Sequence, residues 1–146
     1  MSRYFYSFIL SLSFLFSAQA STNDCYSWIE YADNDLRAAQ VVIDIQNPLI
    51  GVSLYHIEQA LEKTLKAYLI AHDVSFALTH DLKPLLKSCI TLDTNFDQFT
   101  ADAKEISPYA TKSRYPNKSY IPPTKEAVEK FIQRAQTIVY FVHKRL

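Results

Sequence analysis

Side chains able to do chemistry gather in a few places along this chain. Gln59, Glu62, Lys63 and Lys66 recur every three or four residues, so on a helix they form one polar, partly basic ridge that could offer donors to a phosphate or nucleotide. The competing reading is a solvated face whose Glu62–Lys66 pair contributes about 0.2–0.5 kcal/mol. His80 stands between Thr79 and Asp81. An imidazole there offers an acid or base near neutral pH, or a hydrogen bond to a ligand; equally, it closes a turn beside a helix cap. Arg114-Tyr115 joins a guanidinium fork to a stacking ring, which suits an anion. Its structural alternative has Tyr115-Pro116 pinning a loop while Arg114 saturates helix-end carbonyls.

Other chemistries are excluded or disfavoured. Asp33, Asp35, Asp44, Glu58 and Glu62 are acids on helical stretches, but no Glu-x-x-His pair accompanies them, and His56 with Glu58 has the wrong spacing for one face. With no zinc, haem or calcium signature either, neither a metal site nor a cofactor is expected. Cys25 and Cys89 are not expected to form a disulfide. The first falls at the start of one helix and the second well into another, about 12 Å apart along a bundle axis, whereas a bridge needs Cα atoms within about 7 Å. Two buried thiols are the simpler reading. The chain of 146 residues has one glycine, which removes Gly-rich phosphate loops, dinucleotide folds, sandwiches and barrels. Its 15 basic residues balance 15 acidic ones, so an extended nucleic-acid surface is not expected. The 10 tyrosines read as half-buried edges rather than a platform for single strands.

These residues must be positioned by helices. Residues 1–20 stand apart: a cationic start at Arg3, an apolar run from Tyr4 to Phe16, and Ala18-Gln19-Ala20 in an A-x-A arrangement, the layout of a secretory signal peptide. That predicts export to the periplasm or medium and no membrane attachment after cleavage; translation from a later start would instead leave the protein cytoplasmic. Residues 21–146 form the domain. A helix is expected from about Asp24 to Gln46, with Trp28, Ala32, Leu36, Ala39 and Ile43 as its buried stripe, ended by Asn47-Pro48. A connection through Gly51 leads to Ser53 as N-cap of a second helix reaching His72. Asp81 caps a third, with Pro84 in its first turn. A fourth spans about Asn95 to Ile106 and stops before Pro108; after a proline-containing loop, Thr124 caps the last, whose Val128, Phe131, Ile132, Ala135, Ile138, Val139 and Val142 share one face. The fold class is all-α, an up-down bundle of four to five helices.

Several short motifs in this order resemble the HEPN family (higher eukaryotes and prokaryotes nucleotide-binding domain). They are Trp28 with Ala32-x-x-Asp35-Leu36-x-x-Ala39, the run Glu58-Gln59-Ala60-Leu61-Glu62-Lys63-x-Leu65-Lys66-Ala67-Tyr68-Leu69, and Thr79-His80-Asp81-Leu82 with Leu85-Leu86. Tyr109 with Arg114-Tyr115-Pro116, and Glu126-Ala127 opening the last helix, complete the set. The resemblance implies a helical bundle, homodimerisation, a nucleotide as ligand and, in many relatives, a nucleotidyltransferase partner, the arrangement of a toxin–antitoxin pair. Many members are ribonucleases that use Arg, four to six residues, then His. This chain departs from that pattern: no arginine has a histidine five to seven positions on, and Arg134 and His143, nine apart, fall on opposite faces of a helix. The expectation is therefore a non-catalytic HEPN-type binding or interaction module, with Gln59, Lys63, Lys66, His80, Arg114 and Tyr115 as ligand-binding candidates and no catalytic residue. The alternatives are a ribonuclease or toxin with a non-standard site, and an exported adaptor or effector that uses the fold as scaffold.

Overall fold

Apolar residues at helical spacing become five α-helices and one 3-10 turn in the computed structural model of the chain, which describes residues 22–76, 78–116 and 118–146. The expected leader over residues 1–20 lies outside the described residues. The helices are α1 (Thr22–Asp44), α2 (Ile50–Ala71), α3 (Leu82–Leu92), α4 (Thr100–Lys112) and α5 (Lys125–His143), with the 3-10 turn over Thr94–Phe99 leading into α4. Among the described residues there is no strand, and no helix is long and apolar enough to cross a membrane.

α2 is the hub, packed against α1, α3, α4 and α5. A helix enclosed in this way is apolar around most of its circumference, and Leu54, Ile57, Leu61, Leu65 and Leu69 are all buried. The few polar side chains it buries must then find partners. The Ser53 hydroxyl donates to the Ala39 carbonyl of α1 at 2.9 Å, and the Thr64 hydroxyl donates to the Ala60 carbonyl at 2.7 Å. α1 contributes Ile29, Ala32, Leu36, Ala39 and Ile43, whereas Trp28 is only partly buried. The whole apolar face of α5 is buried as its periodicity requires. Phe96, from the 3-10 turn, is fully enclosed, with its ring 4.5 Å from that of Tyr68 and 5.1 Å from that of Phe141.

Helix ends follow local chemistry. The Asp81 side chain accepts from the Lys83 N–H and starts α3, and Thr124 accepts from the Ala127 N–H to start α5. α2 closes on a left-handed residue that is not glycine: Asp73 has φ 54°, the Asp73 N–H donates to the Ile70 carbonyl at 3.0 Å, and the Val74 N–H donates to the Leu69 carbonyl at 2.9 Å. This is a Schellman closure.

The expected start of the fourth helix at Asn95 falls in the 3-10 turn, α4 beginning at Thr100, and two further boundaries differ from the sequence expectation. Ser53 is no N-cap, because α2 already begins at Ile50, one turn earlier, and Ser53 is buried inside it. Gly51 accordingly sits within the helix and not in a connection. Its value is closeness: a Cβ at Gly51 would lie 3.3 Å from the Ser113 carbonyl oxygen, where the chain leaving α4 crosses the start of α2. The second difference is that α4 runs through Pro108 to Lys112. Proline removes one N–H and crowds the preceding turn, but Pro108 and Lys104 lie on the exposed side, where water can serve the carbonyl left over. The inner side is held by fully buried Ile106 and by Tyr109, whose ring is 5.8 Å from that of Phe131.

Candidate functional site

α2 carries charges one turn apart at Glu58, Glu62 and Lys66, on a helix that tertiary packing encloses. The expected exposed ridge of Gln59, Glu62, Lys63 and Lys66 fails for this reason at Glu62 and Lys66, which are 4% and 6% exposed, while Gln59 and Lys63 are half-buried; Glu58, one turn before Glu62, is 3% exposed. Charged groups taken out of water persist only when paired, and each is. The Lys66 ammonium donates to Glu62 Oε1 at 2.6 Å and lies between the rings of Trp28 and Phe76, 5.7 and 5.5 Å from their centroids. His80 Nδ1 bonds the other oxygen of Glu62 at 3.0 Å. Arg114 Nη2 donates to Glu58 Oε2 at 2.9 Å, and its guanidinium covers the Tyr55 ring at 4.7 Å.

Burial pushes the Glu58 carboxyl above the usual carboxylate range, against the pull of the Arg114 charge; neighbouring Glu62 pushes the same way as burial. The network thus brings together two buried acids, two cations and an exposed imidazole, from α2, from the chain ahead of α3 and from the chain leaving α4. A cavity of about 380 Å³ opens beside it, walled by Glu58, His80, Asp81, Lys83, Thr111 and Arg114 among others. On its other flank, Arg114 also borders a groove of about 570 Å³ with Leu49, Val52 and Tyr55.

The candidates divide between this cavity and other surroundings. His80 and Arg114 wall it. Lys66 does not wall it; it is linked to the wall through Glu62, which it shares with His80. Gln59 and Lys63 do not wall the cavity: Gln59 Nε2 donates to Glu62 Oε2 at 3.4 Å within α2, and Lys63 pairs with Asp35 of α1. Asp35 also bonds His56 Nδ1 at 2.8 Å, so this second cluster ties α1 to α2. Tyr115 is exposed and walls neither space that Arg114 borders. Arg114 itself reaches Glu58 and not helix-end carbonyls. Glu58, Asp81 and Lys83 were not anticipated as site residues. The available signal was a charged ladder at i, i+4 and i+8 on an otherwise apolar helix, which demands partners from elsewhere.

Arg134 and His143 have separate partners: Arg134 pairs with Asp102 and Glu105 of α4, while His143 lies 3.7 Å from Asp33 of α1. Cys25 and Cys89 are both buried, and burial pushes the Cys89 thiol up to about 12. Among the described residues no group of three or more His, Cys, Asp or Glu could hold a metal ion.

A family model described as the HEPN domain matches residues 25–146. Among solved structures, the crystal structure of TT1696 from Thermus thermophilus is similar, with 25% identity and a TM-score of 0.69 over 85% of this chain and 99% of that one. No curated protein matches the chain.

Proposed function

Because this chain belongs to the HEPN domain family, we propose that it is a non-catalytic binding module that holds a nucleotide by its phosphate in the cavity where Arg114, His80 and Lys83 converge. The observation that carries this reading is that convergence. His80 ahead of α3, Lys83 at its start, and Arg114 from the chain leaving α4 wall one opening. A guanidinium supplies planar, paired donors and an ammonium a mobile charge, the combination that suits a phosphate. Calorimetric titration with AMP tests it. Replacement of Arg114 by Ala is expected to weaken binding at least about tenfold, since a charged hydrogen bond contributes about 1.5–3 kcal/mol. Absence of binding, or equal affinity for the variant, would remove the reading.

A second reading is favoured by one observation: Arg114 and His80 wall the same cavity, so a cation and an acid–base group are juxtaposed without the Arg-x4-6-His spacing. That is a ribonuclease with a non-standard site. Metal-free RNA cleavage abolished by His80→Ala would establish it and displace the first.

As partners we propose a second copy of the chain and a nucleotidyltransferase. Exposed Val41, Ile45, Leu49 and Val52, near the turn between α1 and α2, support a protein contact there. Sedimentation of the purified protein tests the dimer, and co-purification with a nucleotidyltransferase encoded beside it tests the other. The layout of residues 1–20 supports export, and an exported adaptor role with it; a mature protein starting at Ser21 by mass spectrometry is the expected result.

A further inference from the structure

Arg114 already has an anion. Its guanidinium holds Glu58, a carboxylate 3% exposed at the inner wall of the cavity, while Arg114 itself remains partly open to water. A phosphate-type oxyanion arriving from the cavity therefore competes with an internal carboxylate for one cation. If it takes Arg114, Glu58 is left enclosed with Glu62 one turn away and without its cation. An enclosed carboxylate that loses its counter-charge takes a proton in preference to standing ionised.

We propose that anion binding at this cavity is an exchange, in which the incoming oxyanion displaces the Glu58 carboxylate from Arg114 and Glu58 takes up a proton from solvent. The inference rests on the anion-binding reading above and names how that site is regulated: affinity for a compact oxyanion rises as pH falls. The charged and titratable groups facing Glu58 set the balance. They are Arg114 from the chain leaving α4, Glu62 on α2 itself and His80 ahead of α3, with Asp81 and Lys83 at the start of α3 on the cavity wall. Lys66 does not substitute for Arg114, because its ammonium is held by Glu62 between Trp28 and Phe76. The elevation of the Glu58 carboxyl by burial and by Glu62, already present with Arg114 in place, agrees in direction: removal of the cation raises it further.

The chemistry also limits the ligand class. The cavity wall carries acidic Glu58 and Asp81 as well as Lys83 and Arg114, so a single phosphoryl group is matched and a chain of phosphates is opposed.

Inorganic sulfate is the probe, because its own charge does not change across the range used. Calorimetry of the full-length protein in buffers of different ionisation enthalpy counts the protons taken up per sulfate bound, between about pH 5 and pH 8. The expected result is net uptake, with affinity falling up to about tenfold per pH unit on the alkaline side of the Glu58 titration. Glu58→Gln keeps sulfate binding but loses that uptake, while His80→Gln retains it, which separates the two groups. Binding by the wild-type protein with no proton uptake overturns the exchange while leaving the anion site standing; uptake unchanged in Glu58→Gln does the same. No sulfate or AMP binding at any pH removes the anion site and the exchange together. If Glu58→Gln does not fold, His80→Gln decides: uptake retained in that variant supports the exchange, and uptake lost in it overturns the exchange.

Discussion

Glu58, Glu62 and Lys66 would matter little on a solvated helix, where each pair is worth a few tenths of a kcal/mol. Enclosed by packing, they become groups whose partners matter individually, since removal of one member of a buried pair strands the other. The same low-polarity surroundings act on Cys89, which is fully buried and whose thiol donates weakly to the Leu65 carbonyl at 3.7 Å. Only a thiolate is a nucleophile. With its deprotonation pushed up to about 12, Cys89 in the folded protein is expected to resist iodoacetamide at mildly alkaline pH and to react once urea unfolds the chain. Peptide mass mapping of native and denatured samples reads this out; rapid labelling of native Cys89 would contradict the burial.

The helix ends decide where loops deliver their side chains. Asp73 holds the left-handed position that closes α2, a conformation easier for Asp than for most residues and free of steric cost only in Gly. Asp73→Gly is therefore expected to stabilise the protein by on the order of 1 kcal/mol, seen as a higher urea midpoint with an unchanged slope. That closure turns the chain back so that Phe76 and then His80 reach α2, against Lys66 and Glu62. Gly51 does comparable service at the other end of the helix. Its missing Cβ lets the chain at Ser113 cross close to α2, one residue before Arg114 reaches Glu58. Gly51→Val is expected to push this crossing outward and weaken AMP binding several-fold while the helical circular-dichroism spectrum persists, because the side chain would meet backbone and not a flexible tip.

The bundle as a whole depends on one continuous core, in which the 3-10 turn supplies Phe96 to a ring cluster with Tyr68, Phe99 and Phe141. Truncation of a large buried ring loses transfer energy and leaves a void. Phe96→Ala is expected to destabilise by about 3–5 kcal/mol, a large share of a typical domain's stability, as measured by urea unfolding followed at the helical signal. A loss no larger than that of a surface substitution would mean that the 3-10 turn is not part of the core. The cavity beside Glu58 is tied to this core through the helices that wall it, α3 and α4 as well as α2, the helix that every other helix touches.

Helical periodicity was legible without coordinates: the face of α5 from Val128 to Val142, the Asp81 and Thr124 caps and the order of five helices follow from spacing that repeats every turn, and short-range chemistry suffices to read it. Arg114 and His80 could also be singled out, by residue type. Glu58 could not be joined to Arg114, nor Glu62 to His80, because periodicity along one helix does not say which face its neighbours cover. That assignment came from packing, which surrounded α2, took its charged ladder out of water and so obliged distant loops to neutralise it.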